Sequence, residues 1–345
     1  MNVRKLLNTL YVTTQGAWLA RDGETLAVRI EKETRLRVPI HTLGSVICFG
    51  NVSMSPFAMD LCASNGVAAA FLTEHGRFLA RVHGPVAGNV LLRREQYRRA
   101  DDPAGSAAIA RAVVIGKVAN ARSVLLRGAR ERDGDERSAA MQHAAARLAQ
   151  VLAGLGHAES VDEIRGLEGD GARAYFGVFD HLIEASKDDF FFRERSRRPP
   201  VDNVNALLSF LYTLLVHDVS AALEAVGLDP SVGFLHRDRP GRPGLALDLM
   251  EELRPLLGDR LALTLINRQQ VRADGFQKTE SGAVTMDDAT RKTVLVAYQN
   301  RKQEELAHPF LEEKIAVGMI AHAQAMLLAR HLRGDLDGYP PFLWK

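Results

Sequence analysis

The sequence predicts an α+β protein in which a small N-terminal antiparallel β domain (residues 1–88) precedes a larger all-α domain (residues 89–345). Two observations predict this division. Apolar residues alternate with polar or small ones along most of the first segment, as on a β-strand with one buried face. Beyond it they recur at helical spacing instead. The length of 345 residues is also more typical of two domains than of one.

The strands of the first domain are bounded by residues that favour tight turns. Leu26, Val28 and Ile30 form one alternating run, which predicts a half-buried strand. Asp22-Gly23 predicts a hairpin turn ahead of this run, and Gly76 predicts a second turn further along. Strands joined by such turns predict a small antiparallel sheet.

Capping residues predict where helices begin and end. Ser55 is a suitable N-cap for one helix inside the β domain, with Pro56 in its first turn. Ser160 and Glu163 form a capping box in the second domain, and Gly227 is suited to a helix end. The predicted helical segments, with one predicted hairpin at 276–286, are 105–130, 136–155, 160–186, 203–226, 244–254, 288–306 and 310–333.

The composition is that of an ordinary globular protein, with 46% hydrophobic and 25% charged residues. We find no apolar run as long as the roughly 18–20 residues of a membrane span, and no signal-peptide pattern at the N-terminus. Cys48 and Cys62 lie in apolar stretches and form no C-x-x-C pair. They are expected to be reduced core residues, so the sequence predicts a cytoplasmic protein without membrane contact.

Positive charge is concentrated locally although the net charge is only +2. The first 100 residues hold 13 Lys and Arg against 7 Asp and Glu, and arginines cluster at 93–99, 193–198 and 237–242. Such clusters indicate either attraction to a polyanion or ordinary solvated faces. The candidate DNA-binding residues in the last two clusters are Arg195, Arg197, Arg198, Arg237, Arg239 and Arg242.

Glu168 is the first candidate for chemistry. It shares a predicted helical face with Ile164 and Tyr175, and an ionised carboxylate among apolar residues is costly unless it is paired or binds a metal. Gly169 and Gly171 weaken this helix, which makes sense where a ligand or another backbone comes close. A buried Glu–Arg pair would explain the same pattern.

His236, Asp248 and Glu251 complete a possible metal site. His236 precedes a stiff Arg- and Pro-rich turn that could hold phosphates while the imidazole binds a metal. Asp248 and Glu251 are three residues apart, on one face of a predicted helix. With Glu168 they make an oxygen and nitrogen set suited to Mg²⁺ or Mn²⁺. The alternative is an acidic helix surface with a histidine that makes an ordinary hydrogen bond.

Two other classes of enzyme are not predicted. The chain lacks the G-x-x-x-x-G-K-[ST] phosphate-binding loop and the G-x-S-x-G nucleophile motif. Nothing in its motifs therefore indicates a P-loop nucleotidase or a serine hydrolase.

Several segments resemble one known family. They are LLNTLYVTT (6–14), GRFLARVHGPVAGNVLLRREQYRRADDP (76–103), IRGLEGDGARAYF (164–176), DNVNALLSFLYTLL (202–215), GFLHRDRPGRPGLALDLMEELRP (233–255) and YPPFLWK (339–345). In these segments the chain resembles the CRISPR-associated adaptation endonuclease and integrase family, Cas one, and most closely its subtype I-C form.

The resemblance implies a β domain followed by a helical catalytic domain. It implies that Glu168, His236 and Glu251 bind Mn²⁺ or Mg²⁺ and that Asp248 is a further acidic residue of the catalytic site. Gly244 is a departure, because many relatives are expected to have serine at this position.

The implied function is metal-dependent insertion of short duplex DNA, the prespacer, into the leader–repeat boundary of a CRISPR array. It implies a homodimer, paired through the β domain, that assembles with the small Cas two protein, and arginines that hold DNA phosphates. Two alternatives stay open. The chain could be a stand-alone nuclease acting on duplex or branched DNA, or a non-catalytic DNA-binding scaffold.

Overall fold

The structure, a computed structural model, describes residues 8–82, 84, 90–132, 134–197 and 199–344. Its internal contacts divide the chain into two compact units. The first comprises the described residues of Met1–Ala87 with Lys302–Glu304 and Val317–Met319, and the second comprises the other described residues. The predicted boundary at residues 88 and 89 lies outside the described residues.

The first unit contains two four-stranded sheets, in the orders β1-β5-β7-β8 and β4-β3-β2-β6. One helix, α1 (Pro56–Ser64), accompanies them. The strands are β1 (Thr9–Val12), β2 (Trp18–Asp22), β3 (Thr25–Ile30), β4 (Glu33–Pro39), β5 (Ser45–Phe49), β6 (Ser53–Met54), β7 (Ala68–Leu72) and β8 (Phe78–Val82).

Both sheets are mixed, so the α+β class is confirmed but the purely antiparallel sheet is not. The turns at Gly23 and Gly76, both with positive φ, do join antiparallel pairs, β2–β3 and β7–β8. However, β5 pairs parallel with β1 and β7, and β2 pairs parallel with β6. The connection from β5 to β7 contains α1, and a crossover of that length lets neighbouring strands run parallel.

The core of the first unit lies between the sheets and α1. Leu19, Leu26 and Val46 contribute to it from the strands. Cys48 and Cys62 are free thiols buried in the same core, as predicted. Burial raises the pKa of Cys48 to about 12, so that its thiol is inert at neutral pH.

The remaining elements are mostly helices. They are α2 (Val90–Asp101), α3 (Pro103–Arg130), α4 (Glu136–Leu155), α5 (Val161–Gly177), α6 (Asn203–Val226), α7 (Gly244–Glu251), α8 (Arg260–Asn267), α9 (Asp288–Gln303) and α10 (Ile320–Leu332). Two short hairpins join them, β9 (Phe276–Lys278) with β10 (Val284–Met286), and β11 (Glu305–Ala307) with β12 (Lys314–Ala316). The second unit is therefore largely helical and not all-α.

The predicted caps are confirmed. Ser55 accepts a hydrogen bond from the Ala58 amide at the start of α1, and Ser160 with Glu163 forms the capping box of α5. Gly227 ends α6 in the left-handed conformation, with a φ of 88°. The helix predicted over 310–333 begins only at Ile320, because the residues before it pair with β11.

Helix α6 is long and apolar enough to cross a membrane by length and composition, contrary to our expectation that no run approaches that length. In the structure 67% of its apolar window is buried inside the protein. It packs against α7 and α10. Among the described residues it is therefore a core helix of the second unit.

Candidate metal centre

The ammonium of Lys117, on α3, lies between the carboxylates of Glu168 on α5 and Glu251 on α7. Its Nζ is 2.8 Å from Oε2 of Glu251, and it donates a hydrogen bond to Oε1 of Glu168. The side chains of Lys117 and Glu251 are only 14% and 4% exposed. Three helices that are distant in sequence thus bring one cation and two anions together in a largely buried place.

Glu251 has a second cationic neighbour, Arg254, whose Nη1 is 2.9 Å from Oε1 of Glu251. Burial alone would raise the pKa of Glu251, but Arg254 and Lys117 outweigh burial and hold that pKa at about 2. Burial also lowers the pKa of Lys117, but Glu251 and Glu168 more than compensate and raise it above its ordinary value. Lys117 and Glu251 are therefore both charged at neutral pH.

A π-helical turn, Arg254–Asp259, follows α7 after two turn residues. It places Arg254 between Glu251 and the face of Tyr212, whose ring centroid is 4.9 Å from the guanidinium carbon. Such turns are frequent at functional sites because they redirect side chains within a helix. Here the turn supplies the second counter-charge of Glu251.

The loop that carries His236 is held by Asp248 on α7. The buried carboxylate of Asp248 accepts hydrogen bonds from the backbone amides of Phe234, Leu235 and His236, at 2.6, 2.9 and 3.0 Å. Its Oδ1 is also 2.6 Å from Nδ1 of His236. Because a carboxylate accepts, Nδ1 carries a proton. In the neutral imidazole this leaves the lone pair on Nε2, which is the form of histidine that binds metals.

Two glycines allow this loop to lie against the start of α7. A Cβ on Gly233 would lie 2.6 Å from Oδ2 of Asp248, and one on Gly244 would lie 2.7 Å from the carbonyl oxygen of Ser231. Both distances are shorter than real Cβ contacts. The chain therefore has glycine at 244, where serine was expected from the resemblance, because its own loop leaves no room for a side chain.

Arg165, on α5, fixes the other side of the loop. Its Nε donates to the carbonyl oxygen of Leu235 at 2.8 Å. Arg237 extends outward from the same loop and donates to Asp162 at 3.1 Å. The loop before the Arg-rich turn is thus anchored to both α5 and α7.

The four predicted site residues lie in the same unit, and the structure links them in two pairs. Glu168 and Glu251 flank Lys117, whereas His236 and Asp248 bond to each other. Within the described ranges, no group of three or more His, Cys, Asp or Glu side chains is close enough to hold a metal. The predicted ligand set is thus divided by the ammonium of Lys117.

The donor chemistry nevertheless fits a divalent cation. Oε2 of Glu251 is buried and faces the Lys117 ammonium at 2.8 Å. Two carboxylates and one imidazole with a lone pair on Nε2 form a set suited to Mn²⁺ or Mg²⁺. The position between the carboxylates already attracts positive charge, because Lys117 lies in it.

The predicted DNA-binding arginines differ in their surroundings. Arg195 is engaged inside the unit, where it donates to Oδ1 of Asn205 at 2.6 Å and to Ser209 at 3.1 Å. This contact also gives Asn205, on α6, a structural partner. Arg198 lies outside the described residues. The others are exposed or half-buried at the surface, namely Arg197, Arg237, Arg239 and Arg242.

Lys117 and Arg254 are the residues that the sequence interpretation missed. Lys117 lies in IARAVVIGKVANA, where it is a single lysine among small and apolar residues of a long helix. Such a lysine on a buried face needs an anion, and that signal could have indicated it. Its partner Glu168 is 51 residues away, and no local pattern encodes that pairing.

A small cavity of about 30 Å³ lies beside Lys117 and Arg254. At its wall, Asp259 accepts hydrogen bonds from Tyr212 at 2.5 Å and from Tyr175 at 3.0 Å. Burial raises the pKa of Asp259 to about 6, although both hydrogen bonds oppose that shift. The carboxyl group of Asp259 is thus paired with the hydroxyls of Tyr212 and Tyr175.

Comparison with known proteins gives consistent matches over nearly the whole chain. A family model described as CRISPR associated protein Cas1 matches residues 10–300. CRISPR-associated endonuclease Cas1 1 of Chlorobaculum tepidum is 54% identical over 343 residues, which is 99% of this chain and 100% of that protein. CRISPR-associated endonuclease Cas1 2 of Rhodospirillum rubrum is 55% identical over 347 residues, 99% and 100% of the two chains.

Solved structures share the fold. A CAS1 protein from Thermotoga maritima superposes with a TM-score of 0.80 at 22% identity, covering 95% of this chain and 97% of that one. A casposase bound to integration product superposes with a TM-score of 0.82 at 21% identity, covering 98% and 94%. At these identities the similarity establishes the fold alone.

Proposed function

The chain belongs to the family of CRISPR-associated Cas1 proteins, and from that premise we propose that it inserts short duplex DNA into a CRISPR array. The substrates are a prespacer with free 3′-hydroxyl groups and the leader–repeat boundary of the array. The observation that carries the proposal is that the carboxylates of Glu168 and Glu251 flank the ammonium of Lys117 in a largely buried place. The segments quoted above support a subtype I-C form.

Glu168, Glu251 and Nε2 of His236 are the residues that would hold Mn²⁺ or Mg²⁺. When bound, the ion would polarise a phosphodiester and offset charge on the attacking and departing oxygens. Lys117 competes for the same position, because its ammonium is already within contact distance of both carboxylates. Loading with a metal therefore requires the lysine to move or to share its anions.

Neighbouring side chains orient His236 and keep Glu251 ionised. Asp248 keeps the imidazole of His236 in one tautomer and one orientation through its bond to Nδ1. Arg254 and Lys117 keep Glu251 ionised. The orientation of the His236 imidazole is in place before substrate arrives, so reorganisation of this ligand during the reaction is small.

The proposed reaction is a transesterification. A 3′-hydroxyl of the prespacer attacks a phosphodiester at the leader–repeat boundary, and a new P–O bond forms as the original P–O bond breaks. The proton of the attacking hydroxyl is lost, and the departing 3′-oxygen gains one. The nucleophile belongs to DNA, so no side chain of the protein has to serve as one.

DNA binding is proposed for the Arg-rich surface. The exposed or half-buried Arg197, Arg237, Arg239 and Arg242 would contact backbone phosphates, which gives salt-sensitive binding with little sequence preference. Arg198 is proposed with them from the sequence alone. Arg195 would act indirectly, since its guanidinium is held by Asn205 and Ser209.

The proposed assembly is a cytoplasmic homodimer, with dimerisation through residues 1–88 and catalysis in residues 89–345. A small Cas2 protein is the proposed partner. Support comes from the fold of a Cas6-RT-Cas1–Cas2 complex, which superposes with a TM-score of 0.82 at 23% identity, covering 98% of this chain and 36% of that one.

A strand-transfer assay tests the function. It uses labelled duplex with free 3′-hydroxyls, a supercoiled plasmid bearing a repeat, Cas2, and either Mn²⁺ or EDTA. We expect label to enter the plasmid only with Mn²⁺. Glu168→Ala, His236→Ala and Glu251→Ala should each abolish transfer while duplex binding stays within a few-fold. Glu131→Ala, which removes an exposed glutamate paired with Arg127, is the control.

Other outcomes would contradict the proposal in distinct ways. Nicked plasmid without incorporated label would favour a stand-alone nuclease. Unchanged DNA with intact binding would favour a scaffold. Loss of folding in all three site variants would make the centre structural.

A further inference from the structure

The last described residues form an extended segment that crosses the helices carrying the candidate centre. We call residues 339–344, YPPFLW, the C-terminal strap. Tyr339 is 5% exposed and Phe342 is fully buried, whereas Leu343 is exposed. The strap has no regular secondary structure, so its buried backbone groups need hydrogen-bond partners elsewhere in the protein or in water.

The first anchor of the strap is the side chain of Glu252, which follows Glu251 in the chain. Oε1 of Glu252 accepts a hydrogen bond from the Tyr339 hydroxyl at 2.7 Å. Oε2 accepts one from the Phe342 amide at 2.7 Å and one from Gln324 at 2.9 Å. Glu252 is fully buried, and three uncharged donors hold its carboxyl group in one orientation.

The second anchor is Asn120, which is also fully buried. Its Nδ2 donates to the carbonyl oxygens of Phe342 and Glu252, at 2.9 and 2.8 Å. Its Oδ1 accepts from the Trp344 amide at 2.7 Å. The side chain thus pairs with the strap much as a neighbouring strand would, and it also binds the backbone at the end of α7.

These anchors join the two helices that carry the central ion pair. Asn120 lies one turn after Lys117 on α3, and Glu252 lies directly after Glu251. Helix α7 has only eight residues, and its last carbonyl groups need donors from outside the helix. Asn120 supplies one of these donors, at Glu252.

The packing at this junction is close. A Cβ on Gly116 would lie 2.9 Å from Cγ of Glu252 and 3.1 Å from Cβ of Pro341. The strap, α3 and the end of α7 therefore approach each other with little free space. A displacement of the strap would be transmitted to Glu251 through the adjacent residue, Glu252.

We propose that the C-terminal strap is a positioning element of the candidate metal centre. Asn120, Glu252 and Tyr339 act through the end of α7, where they fix the direction in which Glu251 points toward Lys117 and Glu168. None of the three is a catalytic residue, because their partners are the protein's own groups. The inference rests on the proposed function, since it assigns the strap a role in that centre.

The test compares Asn120→Ala and Tyr339→Phe with the wild type. Mn²⁺ affinity is measured by electron paramagnetic resonance of the free ion, alongside strand transfer, duplex binding and melting temperature. Outer residues that orient metal ligands typically change metal affinity by about 10- to 100-fold. We expect a loss of that size for Asn120→Ala and a smaller one for Tyr339→Phe, with duplex binding unchanged. Excess Mn²⁺ should restore strand transfer.

Tyr298→Phe is the matched control. Tyr298 is a fully buried tyrosine whose hydroxyl donates to Asp218 at 2.9 Å, so the same tyrosine-to-carboxylate bond is removed. Its helix, α9, and that of Asp218, α6, carry none of the four predicted site residues. This control should lower the melting temperature about as much as Tyr339→Phe, without weakening Mn²⁺ binding.

Each result decides the matter. Wild-type Mn²⁺ affinity in both strap variants would overturn the positioning role, as would an equal loss of affinity in Tyr298→Phe. If Asn120→Ala does not fold, Tyr339→Phe against Tyr298→Phe decides alone. A wild type that neither binds Mn²⁺ nor joins DNA would overturn the proposed function and the strap's role together. If the wild type binds Mn²⁺ and joins DNA, and the strap variants equal it in both, only the positioning role of the strap is overturned.

Discussion

The two sides of the end of α7 carry neighbouring glutamates with opposite properties. On one side, Lys117 and Arg254 hold the pKa of Glu251 at about 2 against the effect of burial. On the other side, burial raises the pKa of Glu252 to about 8, and the hydrogen bonds from Phe342, Tyr339 and Gln324 only reduce that shift. Both residues are almost fully buried, so the difference comes from the charge of their partners.

This difference separates two uses of a buried carboxyl group. An ionised carboxylate beside movable cations can exchange one cation for another, which suits a metal ligand. A carboxyl group surrounded by neutral donors has no nearby cation to stabilise its ionised form. It serves instead to fix the groups that hydrogen-bond to it. One turn of helix therefore holds a candidate ligand and a structural anchor side by side.

Glu251→Gln should have the largest effect. It leaves Lys117 and Arg254 without one of their anions, and breaking such a buried pair costs about 3–5 kcal/mol. The free energy of unfolding, measured with urea, should fall by that amount at neutral pH, and strand transfer should be lost. Glu131→Gln, at an exposed glutamate, is the control.

The pH dependence of this variant sharpens the comparison. The folded-state pKa of Glu251 lies below its ordinary 4.5, so its stabilisation is fully present above pH 4.5 and is lost as pH falls toward 2. The difference between wild type and Glu251→Gln should therefore shrink as the solution is acidified. A difference independent of pH would show that Glu251 is not held ionised by its neighbours.

Lys117→Met should have the next largest effect. Without the ammonium, Glu168 and Glu251 lose a shared counter-charge, and we expect a loss of about 3 kcal/mol in the free energy of unfolding. Added Mn²⁺ should raise the melting temperature of the variant more than that of the wild type, because the lysine no longer competes for the carboxylates.

The matched control for this prediction is Lys187→Met. Lys187 pairs with Asp180 at 2.5 Å, but both side chains are 38% exposed, and exposed pairs contribute little. Equal Mn²⁺ shifts in wild type and Lys117→Met would contradict competition between the lysine and the ion.

Asp248→Asn should have an intermediate effect. Asparagine keeps one acceptor oxygen, but its amide nitrogen cannot accept. That nitrogen would face either the Phe234 and Leu235 amides or the backbone amide and Nδ1 of His236. We expect a loss of about 2 kcal/mol in the free energy of unfolding, and a roughly 10- to 100-fold slower strand transfer, because the imidazole is no longer oriented. Asp102→Asn is the control. Asp102 caps α3 by accepting a hydrogen bond from the Gly105 amide, and asparagine caps helices equally well. An unchanged rate of strand transfer would contradict the role of the Asp248 carboxylate in orienting His236.

The sequence singled out four residues that the structure links in two pairs, but it did not indicate the distinction between Glu251 and Glu252. Residues 233–255 contain His236, Asp248 and Glu251 within one stretch. The pairing of His236 with Asp248 follows from a loop that returns to the next helix. Lys117 and Asn120 lie on a helix more than 100 residues earlier, and the strap lies at the other end of the second unit. Local periodicity describes faces, but it does not show which distant helix covers each face.

The same limit applies to the fold. Capping residues and periodicity predicted most helices, because these signals are local. Strand alternation could not show that β5 pairs parallel with β1 and β7, since direction depends on the path of the connections. The residues before Ile320 resembled a helix, but β12 pairs with β11 there.

Glu252→Gln should have the smallest effect on stability, about 1 kcal/mol at neutral pH. The amide is as large as the carboxyl group, but its nitrogen would face a donor, either the Phe342 amide or Gln324, in place of an acceptor oxygen.

Because the folded-state pKa of Glu252 is raised from 4.5 to about 8, the wild type loses stability as pH rises through that window. Glutamine does not titrate, so the cost of the substitution should shrink with rising pH. Urea denaturation over this range measures that slope, which is opposite in sign to the one expected for Glu251→Gln. Equal slopes for the two variants would refute the assignment of a cationic side and a neutral side to the end of α7.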